Sequence, residues 1–136
     1  MPVESDAELR EILGLETIAV VGCSSTAGKD AHEIPKYMLD NGYDVIPINP
    51  FAEEIFGHTA HDSLAAVPDD VDIVNVFRPS EEVSDIVDAA LDRDDVLVIW
   101  TQLGIRDSSA AERAEEAGKM VVMDRCMKVE HSRLIG

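Results

Sequence analysis

Apolar positions along the chain fall into two alternating patterns. The runs "TIAVVG" (17–22), "VDIVNVF" (71–77), "VLVIW" (96–100) and "MVVM" (120–123) are short and nearly continuous. Runs of that kind suit strands buried on both faces of a parallel sheet. The segments between them carry apolar residues at helical spacing instead. Leu9, Ile12 and Leu13 share one face, and Ser5 three residues before Glu8 is a capping-box pattern at its start. Ile34, Tyr37, Met38 and Asn41 repeat that spacing, and Asn41-Gly42 ends the helix. Pro35 fits only a first helical turn, which puts the helix start near Glu33 or Ile34. Val83, Ile86, Val87, Ala90 and Leu91 mark an amphipathic helix over 80–91. Residues 107–118 have a polar start, an Ala face and a terminal Gly118, so both helix ends are signposted.

The remaining segments are weaker. "YDVIPINP" (43–50) reads as a second strand, in which Pro47 suggests an irregular or poorly paired end. "EEIFGH" reads as a very short third strand and "DSLAAV" (62–67) as one or two helical turns. The tail after Met123 reads as a short helix or coil. Regular alternation of strand and helix implies an α/β fold, a doubly wound parallel sheet with helices on both faces. Right-handed crossovers limit the topology. The expectation is about six strands in order 3-2-1-4-5-6, with strand 3 stunted. It forms one domain over residues 1–136, with 1–16 as an N-terminal helix and lead-in.

Composition sharpens this picture. The chain has 136 residues, 46% of them hydrophobic and only 4% aromatic, so its core should be aliphatic. Its net charge of −17 arises from 28 Asp and Glu against 11 Lys and Arg. Such a surface repels nucleic acid phosphates. The acids are spread along the chain, which favours a halophilic reading: in about 1 M salt the Debye length shrinks to about 3 Å and self-repulsion fades. An ordinary acidic cytosolic protein is the alternative. No apolar run approaches the length of a membrane span. The acidic start "MPVESDAELREIL" lacks signal-peptide character, so the expected location is cytoplasmic. Cys23 and Cys126 form no CxxC pair and no metal cluster, and both are expected to be reduced.

In a doubly wound sheet, ligands bind beyond the carboxyl ends of the strands at the switch point beside strand 1. The loops there are Gly22–Lys29, Ile48–Phe51, Phe77–Ser80 and Thr101–Arg106. They hold Ser24, Ser25, Lys29, Asn49, Pro50, Phe77, Arg78, Gln102 and Arg106, with Trp100 at a strand end. The loop "GCSSTAGKD" is not a Walker loop: five residues separate its glycines, and Asp30 replaces the metal-binding hydroxyl. It is not a dinucleotide fingerprint either, because Ser24 replaces the second Gly. Strand 2 ends "IPINP", with no acid for a ribose hydroxyl until Glu53. A cofactor with a phosphate on its adenosine ribose suits that site better than NAD. Lys29 and Arg78 are cations in ligand loops and could each pair with a phosphate; exposed salt bridges to nearby acids are the alternative.

"VVGCSS", "GYDVIPINP", "VDIVNVFRP", "VIWTQLGI" and "VVMDRCMKVEH" together resemble the small stand-alone CoA-binding proteins. These are single-domain relatives of the N-terminal domain of the succinyl-CoA synthetase alpha subunit. The likeness runs from about residue 17 to residue 134. It implies a Rossmann-like fold that binds coenzyme A, or an acyl-CoA, across the switch point. By that likeness Gly22, Cys23, Ser24 and Ser25 and the following helix start receive the phosphates, with Lys29 where the family usually has Arg. Asn49, Pro50, Phe77 and Arg78 line the adenosine and pantetheine sides, and Gln102 belongs to the "W.QLGI" stretch that carries part of the likeness. Asp30-Ala31 departs from the family's Pro-Ser pair, losing a hydroxyl and adding a charge. The synthetase chemistry needs a second domain with a phosphohistidine, which this chain is too short to contain, so the likeness implies binding and not ligation.

Other candidates carry less. Cys126 with His131 could be a nucleophile pair, but a small packed residue is the simpler reading. Cys23 could meet the CoA thiol or merely permit a tight turn. His58 and His61 form an HxxH pattern in a loop with no third metal ligand. His32 could bond a phosphate, and Trp100 reads as core. Three functions stay open: a non-catalytic CoA-binding protein, an NAD(P)-binding oxidoreductase or redox sensor, and an interaction module with a vestigial ligand site. A homo-oligomer or a protein partner is compatible with each.

Overall fold

The computed structural model describes residues 2–136. Five parallel strands form the sheet: β1 (Thr17–Val21), β2 (Asp44–Ile48), β5 (Ile73–Val76), β6 (Val98–Thr101) and β7 (Met120–Val122). Their spatial order is β2-β1-β5-β6-β7. The expected order holds apart from its outermost member. The stunted third strand is instead a separate antiparallel hairpin of β3 (Glu54–Ile55) and β4 (His58–Thr59). Only a single-residue bridge, Ile48 to His61, continues the sheet beyond β2. Two-residue strands and positive-φ residues at Phe56 and Gly57 leave no length for a sixth ladder.

Pro47 sits inside β2 in register with Val20, not at a frayed end. Alternate residues of a strand point their backbone groups to opposite sides. The Asp44 N–H and the Ile48 carbonyl face β1, bonding Glu16 and Gly22. Pro47 therefore faces away from β1, so its missing N–H deprives the sheet of nothing. Its carbonyl accepts from the His61 N–H at 3.0 Å.

Helices cover both faces. α1 (Asp6–Leu13), α2 (Asp30–Asp40) and α5 (Met127–Leu134) pack on one side, with Leu9, Ile12, Met38 and Met127 against Ile18, Val20 and Trp100. α3 (Val83–Leu91) and α4 (Ser108–Glu116) pack on the other, with Val83, Val87, Ala110 and Ala114 against Ala19, Val74, Val76 and Ile99. Ser5 caps α1, its Oγ accepting from the Glu8 N–H at 3.2 Å. Asp107 caps α4 in the same way, through Ala110.

α2 begins at Asp30, a turn earlier than the proline suggested. Pro35 lies in its interior and cannot donate to the Ala31 carbonyl four residues back. That carbonyl instead accepts from the Ser24 N–H at 2.9 Å. The proline thus frees an acceptor that anchors the first ligand loop onto the helix.

The buried polar residues are paired. Gln102 Nε2 donates to Asn75 Oδ1 at 2.8 Å in the middle of the sheet, and the Trp100 indole donates to the Arg125 carbonyl at 2.8 Å. No described helix is long and apolar enough to cross a membrane.

Candidate functional site

β1 is the switch point: α2 leaves it on one face, and α3, after the neighbouring β5, packs on the other. A cleft of about 710 Å³ opens there. Gly22–Ser24, Lys29, Asn49–Phe51, Phe77 and Arg78 line it at the strand ends. Leu64, Ile86 and Ala89 give it an apolar wall, and Asp62, Glu82 and Asp85 are its acids.

The first loop turns at Gly22, whose φ of +88° suits glycine alone. A Cβ at Gly22 would lie 2.8 Å from Arg78 Cδ and 3.0 Å from the Phe77 carbonyl. The aliphatic stem of Arg78 therefore lies directly on the loop backbone. Ser24 Oγ accepts from the Thr26 N–H at 3.0 Å, and the Ser24 carbonyl accepts from His32 Nδ1 at 2.7 Å. A carbonyl only accepts, so His32 carries its proton on Nδ1 here. Its ring rests against Phe56, 4.7 Å between centroids. His32 thus shapes the loop from behind. Ser25 is exposed in the same loop.

Asn49 ties the second loop to the first. Its Nδ2 donates to the Cys23 carbonyl at 2.9 Å, and its Oδ1 accepts from the Phe51 N–H at 2.8 Å. That turn projects Pro50 and Phe51 into solvent, and Phe51 is 96% exposed. Phe51 was absent from the residues singled out in the sequence. Its signal was available: an aromatic directly after Asn-Pro in a chain with three Phe.

The two cations differ in state. Lys29 stands at the N-cap of α2, and its ammonium has no hydrogen bond or ion pair among the described residues. One edge of the Arg78 guanidinium is already taken. Nε donates to Glu82 Oε1 at 3.0 Å and Nη2 to Oε2 at 2.7 Å, an exposed i,i+4 pair. Hydrogen bonding to Arg78 holds the Glu82 carboxyl below its usual range. Of the two readings of Arg78, the salt bridge is the one seen. Glu82 was missed in the sequence: Arg78 lies outside the helix, ahead of Pro79, so no helical spacing linked the two.

Two sequence candidates do not turn their side chains to the cleft, and a third, Ser25, lies outside its lining. The Cys23 side chain is fully buried in the core, and burial pushes its thiol up to about 12. Only its backbone belongs to the loop. Gln102 is turned inward, bonded to Asn75 and to the Met127 N–H at 3.4 Å. It must satisfy the polar Asn75 that the sheet buries, and it lies outside the cleft lining.

The remaining candidates are scattered. Arg106 pairs with Asp124 at 3.1 Å on a second, separate cleft of about 630 Å³. Cys126 lines that same cleft. His131 is buried between Tyr37 and Tyr43, sharing a 2.9 Å hydrogen bond with the Tyr37 hydroxyl, and burial lowers its pKa. His58 lies exposed in β4, and His61 serves the sheet through its backbone. No cluster suited to a metal ion occurs among the described residues.

A parallel sheet with a cleft at its switch point, walled by a glycine turn, a helix start and an aromatic loop, defines a Rossmann-like α/β domain with one candidate ligand cleft there. The chain belongs to the CoA binding domain family, whose profile matches residues 16–132. It is 40% identical over 129 residues to "Uncharacterized protein YneT" of Bacillus subtilis (strain 168), covering 94% of this chain and 95% of that one. It is 34% identical over 83 residues to an ADP-forming acetate–CoA ligase of Methanocaldococcus jannaschii, covering 61% of this chain and 12% of the ligase. Among solved structures, a hypothetical protein from Pyrococcus horikoshii OT3 superposes with a TM-score of 0.93 at 36% identity, covering 100% of this chain and 97% of that one.

Proposed function

We propose that this protein binds coenzyme A or an acyl-CoA in the switch-point cleft and performs no chemistry on it alone. The family membership over residues 16–132, together with a cleft of about 710 Å³ at the expected sheet edge, carries the reading. Lys29 and the loop amides after Gly22 attract the phosphates, where the helix start adds partial positive charge. Phe51 offers an exposed ring on which adenine can stack. Asn49 holds the two loops at a fixed spacing. The residues directly following β2, Asn49-Pro50-Phe51, include no carboxylate, which favours a ribose bearing phosphate over a free ribose. The buried Cys23 thiol, held protonated, supports a binding role without covalent chemistry.

Isothermal titration in high salt with CoA, 3′-dephospho-CoA and NAD tests this. CoA is expected to bind most tightly and to lose affinity with the 3′-phosphate removed. Equal or tighter binding of NAD overturns the assignment and revives the oxidoreductase reading. The engaged state of Arg78 favours a second reading, an interaction module with a vestigial site. No rise in melting temperature with any of the three ligands, combined with co-purification of a partner, supports that one.

A further inference from the structure

The cleft carries more acids than cations. Lys29 and Arg78 are its cations; Asp62, Glu82 and Asp85 are its acids. Its lining is therefore net negative, within a chain of net charge −17. Of the two cations, only Arg78 presents a planar fork suited to a phosphate, and its Nε–Nη2 edge is taken by Glu82, whose charge offsets its own. The stem lies against Gly22, which places the guanidinium at the mouth of the first loop.

We propose that Glu82 is a specificity-determining residue: it occupies the Arg78 fork as an internal rival of the ligand phosphate, so that only a multiply charged phosphate ligand displaces it. This rests on the proposed binding of CoA in the same cleft. Glu82 lies four residues after Arg78, at the junction of a 3-10 turn with α3, and both partners are about half exposed. Exposed i,i+4 pairs are weak, so displacement is possible. A ligand with one charge gains little by the exchange, whereas a pyrophosphate or a 3′-phosphate gains more and also meets Lys29. Once displaced, Glu82 leaves an uncompensated carboxylate beside Asp85 and Asp62, which lowers affinity further. Rivalry of this kind is electrostatic and must fade with salt.

The test compares wild type with Glu82→Gln and with Glu81→Gln. Glu81 carries the same charge one residue earlier but is outside the cleft lining. CoA affinity is titrated at low salt and at about 2 M KCl, where the Debye length is under about 3 Å. Inorganic pyrophosphate is followed in parallel through the Arg78 Nε–H resonance. Removing a unit charge about 4 Å from a phosphate through water is worth roughly fivefold in affinity. The expected result is about that gain for Glu82→Gln at low salt, little for Glu81→Gln, and convergence of all three at high salt. A merely structural Glu82 would not give a gain that salt abolishes. Unchanged or weaker CoA affinity in Glu82→Gln, or an equal gain in Glu81→Gln, overturns the proposal. If CoA binds no variant while pyrophosphate shifts the Arg78 resonance more strongly in Glu82→Gln, the rivalry stands and the CoA assignment falls. If neither ligand is bound by any variant, both fall.

Discussion

Arg78 and Arg93 stand near opposite ends of the same sheet and use their guanidinium groups in opposite ways. Arg93 is half-buried where the strands begin. It donates to both Asp95 oxygens, at 3.0 and 2.8 Å, and to the carbonyls of Leu64, Val67 and Asp69. Every neighbour is a fixed backbone group or a carboxylate that itself caps the Val71 N–H. Lys119 adds to that end by donating to the Arg93 and Val96 carbonyls. Arg78, where the strands finish, has one exposed partner, and Lys29 beside it has none among the described residues. One end is saturated with internal bonds and holds the fold. The other leaves its cations exposed and their donors exchangeable. A cation's sign alone does not tell the two apart.

The sharpest way to break this contrast is to truncate both arginines. Arg93→Ala should destabilise the protein by about 3 kcal/mol, because it leaves a half-buried carboxylate and several carbonyls without donors. Arg78→Ala should change stability by no more than about 0.5 kcal/mol. Urea unfolding of the two variants checks this, and comparable losses would erase the distinction.

A smaller effect is expected from Gly22→Ala. The added methyl meets Arg78 Cδ at 2.8 Å and the Phe77 carbonyl at 3.0 Å, in a backbone conformation that disfavours any side chain. The expected loss is about 2 kcal/mol, from strain and from displacing the arginine stem. CoA affinity should fall with it. Calorimetric unfolding and titration of the same sample measure both.

The third prediction concerns acid. Hydrogen bonding to Arg93 depresses the Asp95 carboxyl from 3.8 to about 2. A depressed folded-state value means that the stabilisation is present above about pH 4 and fades as pH falls toward 2. Asp95 should therefore contribute on the order of 2 kcal/mol near neutral pH, a contribution that Asp95→Asn removes. The stability gap between wild type and Asp95→Asn should shrink between pH 4 and pH 2. A gap that stays constant over that window would refute the pairing.

Much of the architecture was legible in the residue order. The apolar runs ending at Gly22, Phe77 and Trp100 became neighbouring parallel strands, and the spacing of Val83, Val87 and Ala90 became one buried helix face. The exceptions are instructive. Pro35 lies inside α2 because a residue from another segment, Ser24, satisfies the carbonyl it abandons. Pro47 lies inside β2 because of which side faces β1, a matter of register. "EEIFGH" paired with itself because two-residue strands close locally sooner than they reach the sheet.

The candidate site divides along the same line. That ligand loops gather beyond β1, β2 and β5 follows from strand–helix alternation and the handedness of crossovers, both of which are written in short-range periodicity. The partner of each side chain in those loops is not. Gln102 turned inward because Asn75, 27 residues away, needed a hydrogen bond, and Cys23 turned inward because the core had room for it. Arg78 found Glu82, and Lys29 found no partner among the described residues. Periodicity is carried by residues a few positions apart and survives in the linear order. The direction of a polar side chain is settled by whichever donor or acceptor the folded chain brings within hydrogen-bonding distance, and that neighbour exists only once the layers have packed.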